Sequence, residues 1–495
     1  MKRLAAVILL WALSAAAGPT ISKGSRVDVV TKTTGALSLF VDGTLGSDSN
    51  TCTASGASAC ATVAGARALV PKLVQHPVTI TIAAGTYAGD SLFAFAYTPA
   101  TTAAGAYISF IGAQQAFTVA TGTNSGTATG VGTDSDGFST LTDSGQTWTA
   151  SNLQGRFLAI TGGTGSGQTL PIYENTGTII SVVGTYSPAP VAGSTYEIRT
   201  PAVIVTTGVN QMALPGSAAG NPSTFNIGNS PTQRYSSTDA NIAFTDIDFS
   251  PATGSRAMTL QQSTVSLLRC RVAGSNQTLF QLGSNSRLVA NYTTMVGGSS
   301  GAVITAGRQG ETGVAVTLQR VWMKATASYA ILAASPNVGG AIGSSFRIDL
   351  GTAATGGFGS LQGGFGDTQV AGRIACAGTT PKGVTLTKPS LSGNSTGVFG
   401  ISDLRVSGCG TAIEALGTGN IIFVRDGDFT SNTNGLVANY GGTIILGNGG
   451  VALSGNTNDV TVGSTVMTFT AFNALVPVSV ADLNEGSRIF LDTAL

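Results

Sequence analysis

Acidic, basic and aromatic residues recur at two fixed places along the middle of the chain, and they are the residues best able to do chemistry. This part of the chain is a repeat in which an apolar residue recurs in every copy. The first place lies three residues before that apolar residue, and the second place lies one residue before it. From copy to copy these places hold Asp246 and Asp248, Arg269 and Arg271, Tyr292 and Thr294, and Arg320 and Trp322. A strip of this composition could bind or cleave a carbohydrate.

The spacing of the first acidic pair is compatible with glycoside hydrolysis. Residues two apart on a strand point the same way and lie about 6.6 Å from each other. Inverting glycosidases hold their two carboxylates about 6.5–9.5 Å apart, so Asp246 and Asp248 form a candidate pair. The alternative is a ladder of ion pairs, because an arginine one strand spacing away lowers the pKa of each acid and makes it a poor general acid.

A second series of charged residues lies downstream. Asp403 and Arg405 occupy the same two places before one recurring apolar residue, and Asp426 and Asp428 occupy them one copy later. If the copies stack in register, Arg405 lies against Asp428. The same three interpretations apply to this series: catalysis, glycan binding, or an ion-pair ladder.

The recurring apolar residues define a coil length. Phe249, Val272 and Met295 are 23 residues apart, and Met323 follows after 28. Further on, Val406, Phe429 and Leu453 are separated by 23 and 24 residues. Repeats of this length, rich in Gly, Ser, Thr and Asn, are typical of the stacked coils of a parallel β-helix. Residues 201–464 would then form a rod of about 11 coils and on the order of 50 Å.

Composition supports an all-β protein and argues against several functions. The chain has 495 residues, 68 of them Gly, with 9% charged residues, 42% hydrophobic residues and a net charge of +1. Nucleic acid is not expected as a partner, because phosphate binding needs clustered Lys and Arg. The single histidine, His76, argues against a His-based metal site or a Ser-His-Asp triad. We predict neither a metal nor a cofactor.

The N-terminus has the pattern of a secretory signal. Lys2 and Arg3 precede an apolar run from Leu4 to Leu13, and small residues follow to residue 17. The run is too short to span a bilayer comfortably. Residues 1–17 are therefore predicted to be a signal-like segment, and the alternative is an apolar helix that docks on a partner.

The five cysteines suggest one disulfide. Cys52 and Cys60 flank a loop of small residues and could close a short disulfide, as expected outside the cytoplasm. Cys270, Cys376 and Cys409 lie in coil-like segments, where buried free thiols are expected. No CxxC spacing is present, which argues against structural zinc.

The segment 18–113 is predicted to be an N-terminal cap with the first coils. Thr62–Gln75 has one apolar helical face and Val78–Ala83 alternates like a strand. With the loop "VDGTLGSDSN", this order resembles the start of right-handed parallel β-helix proteins of the pectin-lyase-like superfamily. The resemblance implies a right-handed parallel β-helix whose helix caps the open end of the core. Such proteins often carry acids, arginines and aromatic residues along one strand face to handle glycans.

Two segments depart from the coil pattern. Residues 114–200 show short strands and tight turns, which predict a small inserted antiparallel β-module. Gly351–Gly366 is so rich in glycine that we expect a loop or irregular turn. Within the coils, Asn432 and Asn456 hold equivalent turn positions and are predicted to form a side-chain ladder.

The segment 465–495 resembles a sequence found near the C-terminus of many phage tail-fibre and tailspike proteins. Arg488 and Phe490 match that pattern, while Asp492 falls one residue early. The resemblance implies a surface protein of a virion, a homotrimer, and other tail proteins as partners.

Three functional hypotheses follow. The first is a phage tailspike-like or fibre-like protein that binds host or environmental polysaccharide. The second is a secreted polysaccharide lyase or inverting glycoside hydrolase. The third is a non-catalytic bacterial surface adhesin. All three place the protein outside the cell, on a virion surface, secreted or at the cell surface.

Overall fold

The structure is a computed structural model. It describes residues 20–21, 27–28, 32–71, 73–88, 98–99, 108–207, 226–227, 240–251, 256–260, 263–274, 278–283, 285–297, 301–307, 313–333, 341–360, 369–387, 397–447, 451–463, 465–467, 479–482 and 487–491. The signal-like segment 1–17 and Asp492 lie outside these residues.

The rod is a parallel β-helix whose coils each contribute strands to three faces. The chain follows face 1, turns a corner, follows face 2 and then, after a loop, follows face 3 before it returns to face 1. One coil, for example, runs through Ala240–Thr245, Ile247–Pro251 and Met258–Leu260, and the next begins with Ser263–Leu268. Neighbouring coils pair in parallel register, so the predicted all-β parallel β-helix is confirmed.

The strands of each face stack in chain order. Face 1 contains Leu37–Val41, Val78–Ile82, Ile108–Ile111, Ala240–Thr245, Ser263–Leu268, Arg287–Asn291, Ala315–Gln319, Asn420–Val424, Thr443–Leu446 and Ser487–Leu491. Face 2 contains Gly85–Ala88, Val203–Thr207, Ile247–Pro251, Arg271–Ala273, Thr294–Gly297, Val321–Ala325, Gly427–Thr430 and Val451–Ser454. Three longer strands run from face 1 onto face 2: Ala341–Leu350, Gln369–Cys376 and Gly397–Ser407.

Face 3 is a separate sheet. It contains Asn226–Ile227, Met258–Leu260, Phe280–Leu282, Ile304–Ala306, Tyr329–Ala333, Gly356–Ser360, Lys382–Thr387, Thr411–Leu416, Asn434–Asn439, Asn458–Val462 and the antiparallel Thr465–Met467. The prediction of a loop or irregular turn at Gly351–Gly366 is thus partly wrong, because Gly356–Ser360 is a strand of this face. Short pairs are formed by Thr20–Ile21 with Val27–Asp28, by Leu73–Val74 with Thr98–Pro99, and by Ser479–Asp482 with Ser487–Leu491.

A single apolar core fills the rod, because the inward residues of all three faces alternate with outward ones. Aromatic rings continue from coil to coil. Phe110 stacks on Phe244 at 5.2 Å between ring centroids, and Phe358 lies 5.8 Å from Phe346 and 5.7 Å from Phe399.

The N-terminal cap contains the helix Val63–Ala68, preceded by a short 3-10 turn at Gly56–Ser58. Thr62 caps the helix by accepting a hydrogen bond from the Gly65 backbone N–H at 2.9 Å. The helix is shorter than the predicted Thr62–Gln75, since Pro71 cannot continue it and Leu73–Val74 is a strand.

The asparagine ladder links coils through the backbone. The Asn432 backbone N–H donates to Asn456 Oδ1 at 2.8 Å, and the Asn456 side chain donates to the Phe429 carbonyl at 2.8 Å. Asn432 makes the equivalent bond to the Val406 carbonyl at 3.0 Å. The predicted ladder is therefore present, and each amide satisfies backbone groups of a neighbouring coil.

Two disulfides are present. Cys52 is bonded to Cys60, in agreement with the prediction, and Cys376 is bonded to Cys409. The expectation of free thiols was wrong for this second pair. Ala375 pairs with Ser407 on the next coil, so Cys376 and Cys409 lie just beyond paired strand residues, with 5.0 Å between their Cα atoms. Cys270 is a buried free thiol, and burial raises its pKa to about 12.

Replacing both Cys376 and Cys409 with alanine is expected to lower the free energy of unfolding by about 3–4 kcal/mol. The disulfide closes a long loop, with a sequence separation of 33, which limits the entropy of the unfolded chain. Thermal unfolding with and without reductant measures the effect. The Cys52–Cys60 pair, with a separation of 8, should contribute about 1 kcal/mol less. An unchanged melting temperature in the double variant would contradict this prediction.

Candidate functional site

The inserted module is an antiparallel β-structure with its own core. Its strands are Gln114–Ala116, Ser125–Thr127, Gly130–Thr133, Ser139–Thr142, Phe157–Gly162, Thr169–Asn175, Ile179–Val182 and Thr195–Pro201. Trp148 and Tyr196 meet edge to face in the core at 6.2 Å. The module leaves the rod after Ile108–Ile111 and returns at Val203–Thr207, so both ends of the inserted segment are held by coils.

Face 2 presents a line of outward residues to the module. Strand pairing places these residues in a single line, the outward column: Asp248, Arg271, Thr294, Trp322, Arg347, Arg373, Arg405 and Asp428. The residues one place before the recurring apolar residue are thus stacked from coil to coil, as the sequence predicts. Much of the column is covered by the module.

The residues three places before the recurring apolar residue lie elsewhere. Asp246, Arg269, Tyr292 and Arg320 occupy the corner between faces 1 and 2, with positive φ angles of 50–56°. This conformation is uncommon for residues other than glycine. Asp246 and Asp248 therefore do not lie on one strand, and the 6.6 Å separation expected from strand geometry does not apply to them.

The corner side chains pair with each other. Arg269 donates from Nε and Nη2 to the two carboxylate oxygens of Asp246 at 2.9 and 2.8 Å. This hydrogen bonding is the main reason that the pKa of Arg269 is raised. Arg320 donates to the Tyr292 hydroxyl and lies over its ring, 5.1 Å from the centroid. The corner is an ion-pair and cation–π ladder.

Asp248 and Arg271 form the first ion pair of the outward column, with Arg271 Nη1 2.9 and 3.1 Å from the two carboxylate oxygens. Burial raises the pKa of Asp248 above its ordinary value, and the opposing charge of Arg271 does not outweigh it. The expected net lowering by arginine was therefore wrong here, because the module removes water from the pair.

Trp322 is the apolar centre of the junction. It is 1% exposed and packs with Phe138, Tyr173 and Val183 of the module. Its indole N–H donates to Asp349 Oδ2 at 2.7 Å. A tryptophan covered in this way is not available to stack on a sugar in this structure.

Three stacked arginines hold a hairpin turn of the module. Arg347 pairs with Asp136, and its guanidinium lies 3.9 Å from the ring centroid of Tyr173. Arg373 donates from Nε to the Asp136 carbonyl at 3.0 Å, and Arg405 donates to the Ser135 carbonyl at 2.7 Å. The turn therefore brings one carboxylate and two carbonyl oxygens to a column of positive charge.

The second charged series is only partly brought together. Arg405 and Asp428 are strand partners, but the Arg405 guanidinium turns to the module instead of forming the expected ion pair. Asp428 Oδ1 is buried without a hydrogen-bond partner among the described residues. Asp403 is largely exposed and lies 3.5 Å from Arg373. Asp426 lies at the corner between the strands Asn420–Val424 and Gly427–Thr430 and is half-buried.

Among the described residues, two clefts open at the junction of module and rod. The arginine cleft has a volume of about 370 Å³ and is lined by Gln115, Ala116, Phe117, Thr118, Arg156, Thr200, Pro201, Ile204, Asp248, Ser250 and Arg271. The tyrosine cleft has a volume of about 250 Å³, and its polar lining comes from Gln154, Tyr173, Glu174, Lys324, Arg347 and Asp349. Each cleft exists only where the module faces the rod.

Several site residues were missed by sequence reasoning. Arg347 and Arg373 stand one place before Ile348 and Ile374, the same offset as Arg271, and could have been found by allowing longer coils. Arg156 and Asp136 belong to the module, and no local pattern indicates that they meet face 2.

No cluster of three or more His, Cys, Asp or Glu side chains suited to a metal ion occurs within the residues that the structure describes. None of the helices in the described part of the chain has the length and apolar character that a membrane span requires.

No protein-family model and no curated protein matches the sequence. A solved structure described as a glycoside hydrolase is similar over 87% of this chain and 97% of its own, with 10% identity and a TM-score of 0.31. The tailspike of Acinetobacter baumannii bacteriophage AP22, solved with A. baumannii capsular saccharide, is similar over 72% of this chain and 71% of its own, at 11% identity and a TM-score of 0.24. The tailspike of Pseudomonas phage phi297 is similar over 79% and 65%, at 11% identity and a TM-score of 0.21.

Proposed function

We propose that the protein is an extracellular or virion-surface β-helix protein that binds host or environmental glycans in the junction between module and rod. The observation that carries the proposal is the arginine cleft. It is open to solvent and lined by hydroxyl, amide, carboxylate and guanidinium groups, contributed by both the module and face 2. Sugars offer many hydroxyl groups, and a concave site with convergent polar side chains is suited to them.

The location outside the cell is supported by the cysteines. Four of the five are joined in two disulfides, which persist in oxidising compartments. The homotrimer and the association with other tail proteins, implied by the C-terminal resemblance, stay predictions. In the structure Arg488 and Phe490 belong to the last strand of face 1, which pairs with Thr443–Leu446.

Holding a glycan is favoured over cleaving one. Glycoside hydrolysis needs two carboxyl groups that flank the scissile bond, whereas Asp248 is the one carboxylate among the residues that line the arginine cleft, and both its oxygens accept from Arg271. Asp349 in the tyrosine cleft likewise accepts from Trp322 and Arg347. The candidate carboxylates are thus held by donors, as expected in a binding site or a structural ladder.

Full-length protein is expected to bind one or more polysaccharides of a panel that includes bacterial capsular and neutral glycans, and Ser250→Trp should abolish binding. Ser250 points outward from face 2 into the arginine cleft, so an indole there fills the space that a sugar needs. Surface plasmon resonance measures binding, and release of reducing ends or unsaturated uronates measures cleavage.

Ser266→Trp is the matched control, because Ser266 points outward from face 1, away from the cleft. Binding to no glycan, or binding that Ser250→Trp leaves intact, would refute the proposal. Cleavage of a bound polymer would favour the lyase or hydrolase alternative.

A further inference from the structure

The arginine cleft contains more positive than negative charge. Two guanidinium groups, from Arg156 and Arg271, face one carboxylate, from Asp248, and the other lining side chains are neutral. Asp248 is already engaged by Arg271 at 2.9 and 3.1 Å. The lining therefore carries a net positive charge, since two guanidinium groups share one carboxylate.

Arg156 is held in place by weak partners. Its Nη1 donates to the neutral Thr200 hydroxyl at 3.3 Å, and its guanidinium lies over the Phe117 ring at 4.3 Å from the centroid. The Nε atoms of both arginines are buried without a hydrogen-bond partner among the described residues. A guanidinium has five N–H donors, so the pair retains donor capacity that the protein leaves unused.

The two arginines also repel each other. The pKa of Arg156 is lowered to about 10, mainly by burial and also by the nearby charge of Arg271, while Asp248 partly opposes both effects. At neutral pH Arg156 is still protonated, so the cleft holds a positive charge that is poorly solvated and close to another. An anionic group placed between the two arginines would relieve both conditions.

We infer that the arginine cleft binds the carboxylate of an acidic sugar between Arg156 and Arg271, with the sugar hydroxyls on the surrounding polar side chains. The inference rests on the proposed function and names its ligand class. The planar guanidinium fork matches the two oxygens of a carboxylate, and the bonds are charge-assisted. Thr118, Thr200, Ser250 and Gln115 supply the neutral hydrogen-bonding groups that a pyranose ring needs beside its carboxylate.

The test compares uronic-acid oligosaccharides with their carboxyl-reduced counterparts, in which each carboxylate becomes a neutral hydroxymethyl group. The probes are oligogalacturonate, oligomannuronate and hyaluronan hexasaccharide, each in both forms. Titration calorimetry with the full-length protein should show at least one acidic form bound about ten- to a hundredfold more tightly than its reduced form, because a hydrogen bond between charged groups is lost on reduction.

Arg156→Gln should remove this preference, because it weakens binding of the acidic form much more than binding of the reduced form. Arg156 repels Arg271, so its replacement is not expected to unfold the protein, and thermal unfolding checks this. Arg287→Gln makes the same change of charge at an exposed position of face 1 and should keep the preference. Free sulfate and phosphate in excess distinguish a uronate site from a general anion site. They should compete only weakly with the acidic oligosaccharide.

The outcomes separate the inference from the function on which it rests. Equal binding of acidic and reduced forms, with loss of both in Ser250→Trp, would overturn the inference and leave the proposed function standing. A preference for the acidic form that persists in Arg156→Gln would also overturn it. If neither form binds, and neutral and capsular polysaccharides do not bind either, both fail.

Discussion

Replacing Trp322 with alanine is expected to loosen the module from the rod and to lower the stability of the docked arrangement by about 3–5 kcal/mol. The indole is 1% exposed and is surrounded by module side chains on one side and the rod on the other. Alanine leaves a cavity at the centre of the junction and removes the donor to Asp349. Hydrogen exchange should show faster exchange in the turn that contains Asp136, with little change in the core of the rod.

Phe399→Ala is the matched control. Phe399 is fully buried in the rod core beside Phe358, so its removal should destabilise the coils without first releasing the module. Since both clefts lie between module and rod, Trp322→Ala should also weaken glycan binding, although Trp322 lines neither cleft. Unchanged exchange in the module turn would show that Trp322 does not hold the junction together.

The sequence predicted the β-helix because the coil is a local unit. Each copy carries its own alternation of apolar residues, and neighbouring copies pair in register. Phe249, Val272 and Met295 lie in adjacent strands, as their spacing indicates. The disulfide between Cys376 and Cys409 escaped prediction because the coil between them is longer, with a separation of 33.

The candidate site was predicted only in part, because two positions with the same periodicity have different surroundings. Residues one place before the recurring apolar residue point outward from face 2, as expected. Residues three places before it form the corner, where positive φ angles of 50–56° turn the backbone. Strand geometry alone therefore could not show that Asp246 and Asp248 belong to different parts of the coil.

The inserted module accounts for the rest of the difference between the predicted and the observed site. Arg347 and Asp136 are 211 residues apart in the chain, and Arg405 and Ser135 are 270 apart. Nothing in the local sequence of either segment indicates the other. The polar strip, for which catalysis, glycan binding and an ion-pair ladder were the three interpretations, is largely the docking surface of the module, and the two clefts lie along the edges of that surface.

Replacing Arg347 with methionine is expected to lower the stability of the docked module by about 2–4 kcal/mol, between the ranges for exposed and fully buried ion pairs. The Arg347 side chain is 12% exposed, pairs with Asp136 and Asp349, and covers the Tyr173 ring. Methionine keeps much of the apolar contact but leaves two half-buried carboxylates without their shared cation. Chemical denaturation followed by hydrogen exchange in the module measures the loss.

A double-mutant cycle with Asp136→Asn isolates the contact between module and rod from the contact that Arg347 makes within the rod. The coupling energy between Arg347 and Asp136 should be about 1–3 kcal/mol. Arg405→Met is the comparison, because Arg405 reaches the same turn through one hydrogen bond at 2.7 Å to a carbonyl, and its loss should lower stability by about 1 kcal/mol. A coupling energy near zero would mean that Arg347 stabilises only the rod, through Asp349. The ion pair between Arg347 and Asp136 would then not hold the module on the rod.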